Sequence, residues 1–118
     1  MPVAVANCLF CKVVAGDMPA SIVYEDDRCL AFTDINPRAP THVLVIPREH
    51  IPTVGAATPE QEGLLGHLLL AAHEVARKAG IAEKGYRLAI NCGADAGQAV
   101  PHLHVHVLGG RKMAWPPG

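Results

Sequence analysis

The stretch Pro101-His102-Leu103-His104-Val105-His106-Val107-Leu108-Gly109-Gly110, "PHLHVHVLGG", sets three of the chain's seven histidines at alternate positions, each followed by an apolar residue. Alternation of this kind is the period of a β-strand, whose successive side chains point to opposite faces. His102, His104 and His106 are therefore expected on one face, ~6.5 Å apart, with Leu103, Val105 and Val107 turned into a core. A merely polar face would be served as well by Thr or Lys, so a row of imidazoles points to chemistry. Two kinds fit. Alternating histidines can ligate a metal, and a neutral imidazole can attack phosphorus, its unperturbed pKa near ~6.5 leaving it mostly unprotonated at pH 7.

The loop before the row, "GADAGQAVP", favours the second kind. Gly93 and Gly97 allow the backbone to turn its N–H groups inward as an anion-binding nest. A nest that leads into a histidine row is what phosphoryl or nucleotidyl transfer needs.

Further out, "YRLAIN" reads as a strand. "TPEQEGLLGHLLLAAHEVARKAG" reads as a helix with Thr58 as N-cap, Pro59 in the first turn and Gln61 completing a capping box. Leu64, Leu65, Leu68, Leu69, Ala72, Val75, Ala76 and Ala79 recur at helical spacing, and Gly80 supplies the stop. His67 and His73 fall on different faces of this helix and read as surface residues. Upstream, "SIVYEDD" and "CLAFTDI" form a hairpin around Asp26-Asp27, "NPRAPTH" is a proline-rich loop, and "VLVIP" is an apolar strand ended by Pro47. "CLFCKVVAG" makes one or two helical turns. Five strands, grouped together and interrupted by one long helix after a short N-terminal one, predict an α+β fold: an antiparallel sheet with the long helix on one face.

Composition narrows the class. A chain of 118 residues with half of them hydrophobic and 18% charged suits a single domain, residues 1–118, with an aliphatic core. The net charge is −1 and no basic run exceeds a pair, which argues against nucleic acid or an anionic membrane as partner. "MPVAVANCLFCK" lacks a basic n-region and a continuous apolar run, so no leader or membrane segment is expected and the cytoplasm is the expected compartment. In a reducing compartment Cys8, Cys11, Cys29 and Cys92 are expected as thiols or metal ligands rather than disulfides.

With these residues in view, "HLHVHVL" resembles the His-x-His-x-His-x-x signature of the histidine-triad (HIT) superfamily of nucleotide hydrolases and transferases. "YEDDRCLAFTDINPRAPTHVLVIPREHI", "KGYRLAINCGADAGQ" and "HVLGGRKMAWPPG" extend the likeness over nearly the whole chain. They resemble the Hint branch, the purine nucleoside phosphoramidases, in a bacterial form with C-x-x-C. The resemblance implies that all five strands form one antiparallel sheet, and a homodimer whose two sheets join into ten strands.

It also implies roles. His104 would attack the α-phosphorus of an adenosine phosphoramidate and form a histidyl-AMP intermediate that water resolves to AMP. His106 would contact the phosphate, and His42 is a further histidine near the site. Asp34 would bind the ribose hydroxyls, with Phe32 and Ile35 walling the base. Asn91 is a phosphate-side polar residue, and Gly97, Gln98 and Ala99 supply the nest. Ala99 stands where many Hint proteins carry Ser or Thr. Cys8 and Cys11 with His50 and His102 match the structural zinc site of some bacterial relatives, a closed tetrahedral set of two thiolates and two imidazoles. Two other activities stay open at this point: a dinucleoside-polyphosphate hydrolase of the same superfamily, or a nucleotide-binding scaffold with incidental hydrolysis.

Overall fold

The computed structural model describes Val5 and residues 7–118, so the first four residues and position 6 of the expected domain lie outside the described residues. The expected order of elements is present. A short helix α1 (Leu9–Ala15) precedes strands β1 (Ile22–Glu25), β2 (Cys29–Thr33) and β3 (Thr41–Pro47); the long helix α2 (Glu62–Lys78) leads to β4 (Arg87–Ala89) and β5 (Val105–Gly109). The strands form one sheet in the order β1-β2-β3-β5-β4, antiparallel at every pairing.

Strand alternation divides the interior into two cores. Ala31, Val43, Val45, Leu103, Val105 and Val107 face α2 and pack with Leu68, Ala71, Ala72, Val75 and Ala76. Leu30, Phe32, Leu44 and Ile46 face the other way and pack with Phe10, Cys11 and Val13 of α1. Burying each large aliphatic side chain contributes ~2 kcal/mol, so α2 is the stronger anchor. The second face carries the shorter helix and leaves room beside it.

Local signals explain the boundaries. The Thr58 N–H donates to Gln61 Oε1 at 2.8 Å, the capping box read from the sequence, although the first turn is a 3-10 turn (Pro59–Gln61) rather than α-helix. Gly80 adopts φ +79° just past α2. A side chain at Gly109 would put its Cβ 2.5 Å from Ile81, which explains a glycine at the end of β5.

Three expectations are corrected. β5 begins only at Val105, so His102 and His104 precede the regular strand. Pro101 has no N–H to pair, and the next N–H, that of His102, turns back to the Val100 carbonyl at 2.9 Å while Leu103 bonds Ile51. The alternation of faces nevertheless continues through this irregular segment. On α2, Leu69 is exposed at 46% and Ala79 is exposed, whereas Ala71 is buried. Leu64, Leu65, Leu68, Ala72, Val75 and Ala76 pack on the core as expected; Ala71 extends the stripe on one side, Leu69 falls outside it on the other, and Ala79 is the C-cap beyond the last turn. His67 is not a free surface residue: its Nε2 lies 2.7 Å from Asp26 Oδ2 and ties α2 to the β1–β2 turn.

Candidate active site

The space beside α1 is a cavity of about 560 Å³, within the range that holds small ligands. Leu9, Phe10, Val13 and Met18 wall one side; Phe32, Asp34, Ile35 and Leu44 come from the sheet and the turn after β2. Asn91, Gly97, Ala99, His104 and His106 close the far end. No Lys or Arg lines it among the described residues.

Backbone carbonyls fix the tautomers of His102 and His104, and the His42 ring fixes that of His106. The His102 carbonyl lies 2.7 Å from His104 Nδ1. A carbonyl only accepts, so Nδ1 carries the proton and Nε2 keeps a free lone pair. His104 is 7% exposed and lines the cavity. The Arg38 N–H donates to His42 Nδ1 at 3.0 Å, which leaves the proton of His42 on Nε2. That Nε2 lies 2.9 Å from His106 Nδ1 and 3.4 Å from Asp34 Oδ2. Donation to His106 Nδ1 places the His106 proton on Nε2. His104 thus offers a lone pair and His106 an N–H.

Burial lowers the pKa of His106 to about 4, with the neighbouring imidazoles of His104 and His42 pushing the same way and Asp34 opposing. Burial likewise lowers His42, against the pull of Asp34. Both are neutral at pH 7.

The glycine loop takes the expected shape, with Gly93 at φ +89° and Gly97 at φ +83°. Its hydrogen bonds are distributed differently from expectation. The Gly97 and Gln98 N–H groups bond the Ala94 and Gly93 carbonyls, which leaves the Ala99 N–H unpaired among the described residues as the donor beside the cavity. Gln98 does not line the cavity. Its amide donates to the Pro52 and Val100 carbonyls and accepts from the Gly93 N–H, so the side chain braces the loop. Asp34 lines the cavity through a carboxylate whose Oδ1 also accepts from the Asn36 N–H at 2.9 Å, which sets its direction. His42 stands behind His106, outside the cavity lining.

His102 faces elsewhere. Its Nε2 donates to the Pro47 carbonyl at 2.9 Å, so Nδ1 is unprotonated. Nδ1 lies 3.3 Å from Cys8 Sγ and 3.6 Å from Cys11 Sγ, while His50 Nδ1 lies 3.3 Å from Cys11 Sγ. These four ligand atoms all fall within 4.8 Å of one another. The donor set fits a tetrahedral metal: two sulfurs and two imidazole nitrogens, with second partners orienting Cys8, Cys11 and His102. The Cys11 N–H points to Cys8 Sγ and the Val5 N–H to Cys11 Sγ, as thiolate ligands prefer.

A HIT domain family model matches residues 15–113. The chain belongs to the HIT domain family. An uncharacterized HIT-like protein of Synechocystis sp. is 58% identical over 112 residues, covering 95% of this chain and 97% of that protein. The crystal structure of a HIT family hydrolase from Legionella pneumophila superposes with a TM-score of 0.93 at 49% identity, covering 95% of this chain and all of the other. A Zn-bound histidine triad family protein from Mycobacterium smegmatis superposes with a TM-score of 0.76 at 35% identity, covering 90% of this chain and 76% of that one.

Within this HIT domain the cavity wall formed by Leu9, Phe10 and Val13 of α1 adds to the site residues expected from the sequence. A signal for it existed: once Cys8 and Cys11 are paired with His102, the intervening Leu9 and Phe10 must lie against the histidine row. The Phe10 ring meets His104 edge-on at 5.2 Å between centroids and Phe32 at 5.3 Å.

A second cluster, Asp26, Cys29 and His67, lies on the far side of the HIT domain sheet. Tyr24, His67 and Cys29 donate to Asp26 Oδ2, and the Arg28 and Cys29 N–H groups to Oδ1. Every position on that carboxylate is engaged, so the cluster is a structural tie.

Proposed function

We propose that this HIT domain protein hydrolyses the P–N bond of purine nucleoside phosphoramidates and releases AMP through a covalent intermediate on His104. The observation that carries the reading is the free lone pair of His104 Nε2 at the cavity, enforced by the Nδ1 bond to the His102 carbonyl. Attack forms a P–Nε2 bond; the P–N bond to the leaving amine breaks, and the amine carries off the bonding pair and takes a proton from water. The imidazolium so formed keeps Nδ1–H on the His102 carbonyl, which stabilises its positive charge. Attack of water on phosphorus then breaks the P–Nε2 bond and restores the imidazole. His106 Nε2–H and the Ala99 N–H are the donors for the phosphoryl oxygens, and Asp34 accepts from the ribose hydroxyls.

The cavity's charge supports a phosphoramidate over a dinucleoside polyphosphate. A phosphoramidate monoester carries a single negative charge, which neutral imidazole and amide donors can serve. A polyphosphate chain brings several charges to a wall without Lys or Arg. A panel of AMP-lysine, other nucleoside phosphoramidates and diadenosine polyphosphates, compared by kcat/KM, tests the reading. Preference for a polyphosphate would overturn it.

The Cys8, Cys11, His50 and His102 set supports a structural zinc, whose chemistry is to cross-link the segments that carry these ligands. Metal analysis of protein purified without chelator should give about one zinc per chain. A homodimer is supported by the exposed Ile90 directly after the three-residue strand β4, which ends the sheet and has no strand on its outer edge among the described residues, and by the exposed Leu69 and Leu70 of α2. Light scattering that returns the mass of one chain at micromolar concentration would remove the dimer. No helix of the described residues is long and apolar enough to cross a membrane; we place the protein in the cytoplasm, which fractionation of cells checks.

A further inference from the structure

Helix α1 belongs to two sites at once. Cys8 is its N-cap and Cys11 lies in its first turn, so two of the four metal-ligand atoms are built on it. Leu9, Phe10 and Val13 of the same helix wall the nucleotide cavity. The helix has seven residues, too few to hold its own conformation in water. What fixes it is its seat on the sheet: apolar contacts of Phe10, Cys11 and Val13 with Leu30, Phe32, Leu44 and Ile46, and the approach of its sulfurs to His50 and His102.

Phe10 sits where the two sites meet. Its ring lies edge-on to His102 at 5.9 Å and to His104 at 5.2 Å between centroids. It therefore touches one candidate metal ligand and the candidate nucleophile at once. Of the other two ligands, His102 lies two residues before His104, which lines the cavity, and His50 stands on a segment bonded to the cavity's loop. His50 precedes Ile51 and Pro52, whose carbonyls receive the Leu103 N–H and the Gln98 amide, so the segment of His50 is tied to the glycine loop.

From this shared construction we infer that metal at Cys8, Cys11, His50 and His102 and nucleotide in the cavity bind with reciprocal positive coupling, transmitted by α1 through Phe10. A metal draws the sulfurs of α1 to the imidazoles of the histidine segment and so seats Leu9, Phe10 and Val13 as a wall. A nucleotide packed against that wall holds the same helix in place and keeps the four ligands together. Linkage requires the two effects to be equal in size. The inference rests on the nucleotide reading of the cavity given above.

Zinc and AMP are suitable probes. Calorimetric titration with AMP is run on zinc-loaded protein and on protein stripped by chelator, with circular dichroism confirming that the stripped sheet persists. AMP should bind the stripped form at least about tenfold more weakly. In the opposite direction, competition with a chromophoric chelator on the loaded protein should show zinc held about as many-fold more tightly at saturating AMP. This second measurement decides the matter even if stripping unfolds the chain. Phe10→Ala keeps all four ligand side chains; whatever its own zinc affinity, the ratio of its zinc affinities with and without AMP should fall close to one. Equal AMP affinity in both forms, zinc affinity indifferent to AMP, or full coupling in Phe10→Ala would each overturn the inference. Failure of the loaded protein to bind AMP at all would overturn the nucleotide reading itself, and the coupling with it.

Discussion

The carbonyl of His102 and Nδ1 of His104 lie 2.7 Å apart, a bond between the backbone of one triad residue and the ring of the next. It settles which nitrogen of His104 keeps its lone pair. The same reasoning assigns the neighbouring rings from the Pro47 carbonyl and the Arg38 N–H. Nitrogen-15 correlation spectra of the imidazoles at pH 7 should therefore show His104 protonated on Nδ1 and His42, His102 and His106 on Nε2. His104 found as the Nε2–H tautomer would leave it without a lone pair toward the cavity.

Asp26 tests the structural account away from the site. Burial disfavours its charge, but N–H groups of Arg28, His67 and Cys29 and the Tyr24 hydroxyl outweigh that and hold its carboxyl well below the usual range. The same bond pushes Tyr24 up to about 12. Asp26→Asn puts an amide where donors converge, and should cost ~2–4 kcal/mol in urea denaturation. Any folded fraction should keep its AMP affinity, because the cluster lies across the sheet from the cavity.

His106 gives a pH window with a definite sign. Its folded pKa of about 4 is below the 6.5 of an unfolded histidine, so the unfolded chain takes up a proton first as pH falls. Stability should therefore decline from about pH 6.5 toward 4. His42, also lowered by burial, adds to the decline. His106→Asn should flatten the dependence of the urea midpoint over this window. Asp26 acts separately: its contribution is present above the unfolded value of 3.8 and lost as pH falls through its depressed folded pKa. A midpoint unchanged between pH 6.5 and 4 would contradict the buried, neutral His106.

Ala99 lines the cavity beside an N–H without a partner in the loop. Ala99→Ser adds one hydroxyl within reach of a bound phosphoryl group or leaving group. One such hydrogen bond contributes ~1 kcal/mol, so kcat/KM for AMP-lysine should rise about fivefold. A fall would show that the hydroxyl has no phosphoryl oxygen to meet.

Legibility in the sequence followed the range of the interaction. The five strands and α2 were readable because their signals are local: the alternation from Leu103 to Val107, the Thr58–Gln61 capping box, the stop at Gly80. The placement of His104 and His106 followed from the same alternation. What was not readable depended on groups distant in sequence. Gln98 braces its loop because Pro52 happens to present a carbonyl there, and no local pattern announces that pairing. The His67–Asp26 bond joins residues 41 positions apart. The start of β5 moved to Val105 because Pro101 and the Ile51 carbonyl reorganise the preceding backbone. The resemblance supplied the roles of Asp34 and Asn91, and the geometry places both at the cavity.

The central claim is that His104 becomes covalently attached to the nucleotide during turnover. Mixing the protein with excess AMP-lysine, quenching in acid within the first turnovers and mapping the peptides by mass spectrometry tests it directly. The account predicts one added AMP on the peptide spanning "PHLHVHVL", at His104, and no adduct in His104→Ala. That variant should lose several orders of magnitude in kcat while AMP affinity changes far less, since Asp34, the Ala99 N–H and the base wall remain. An adduct on another residue, or His104→Ala with near wild-type kcat, would contradict it.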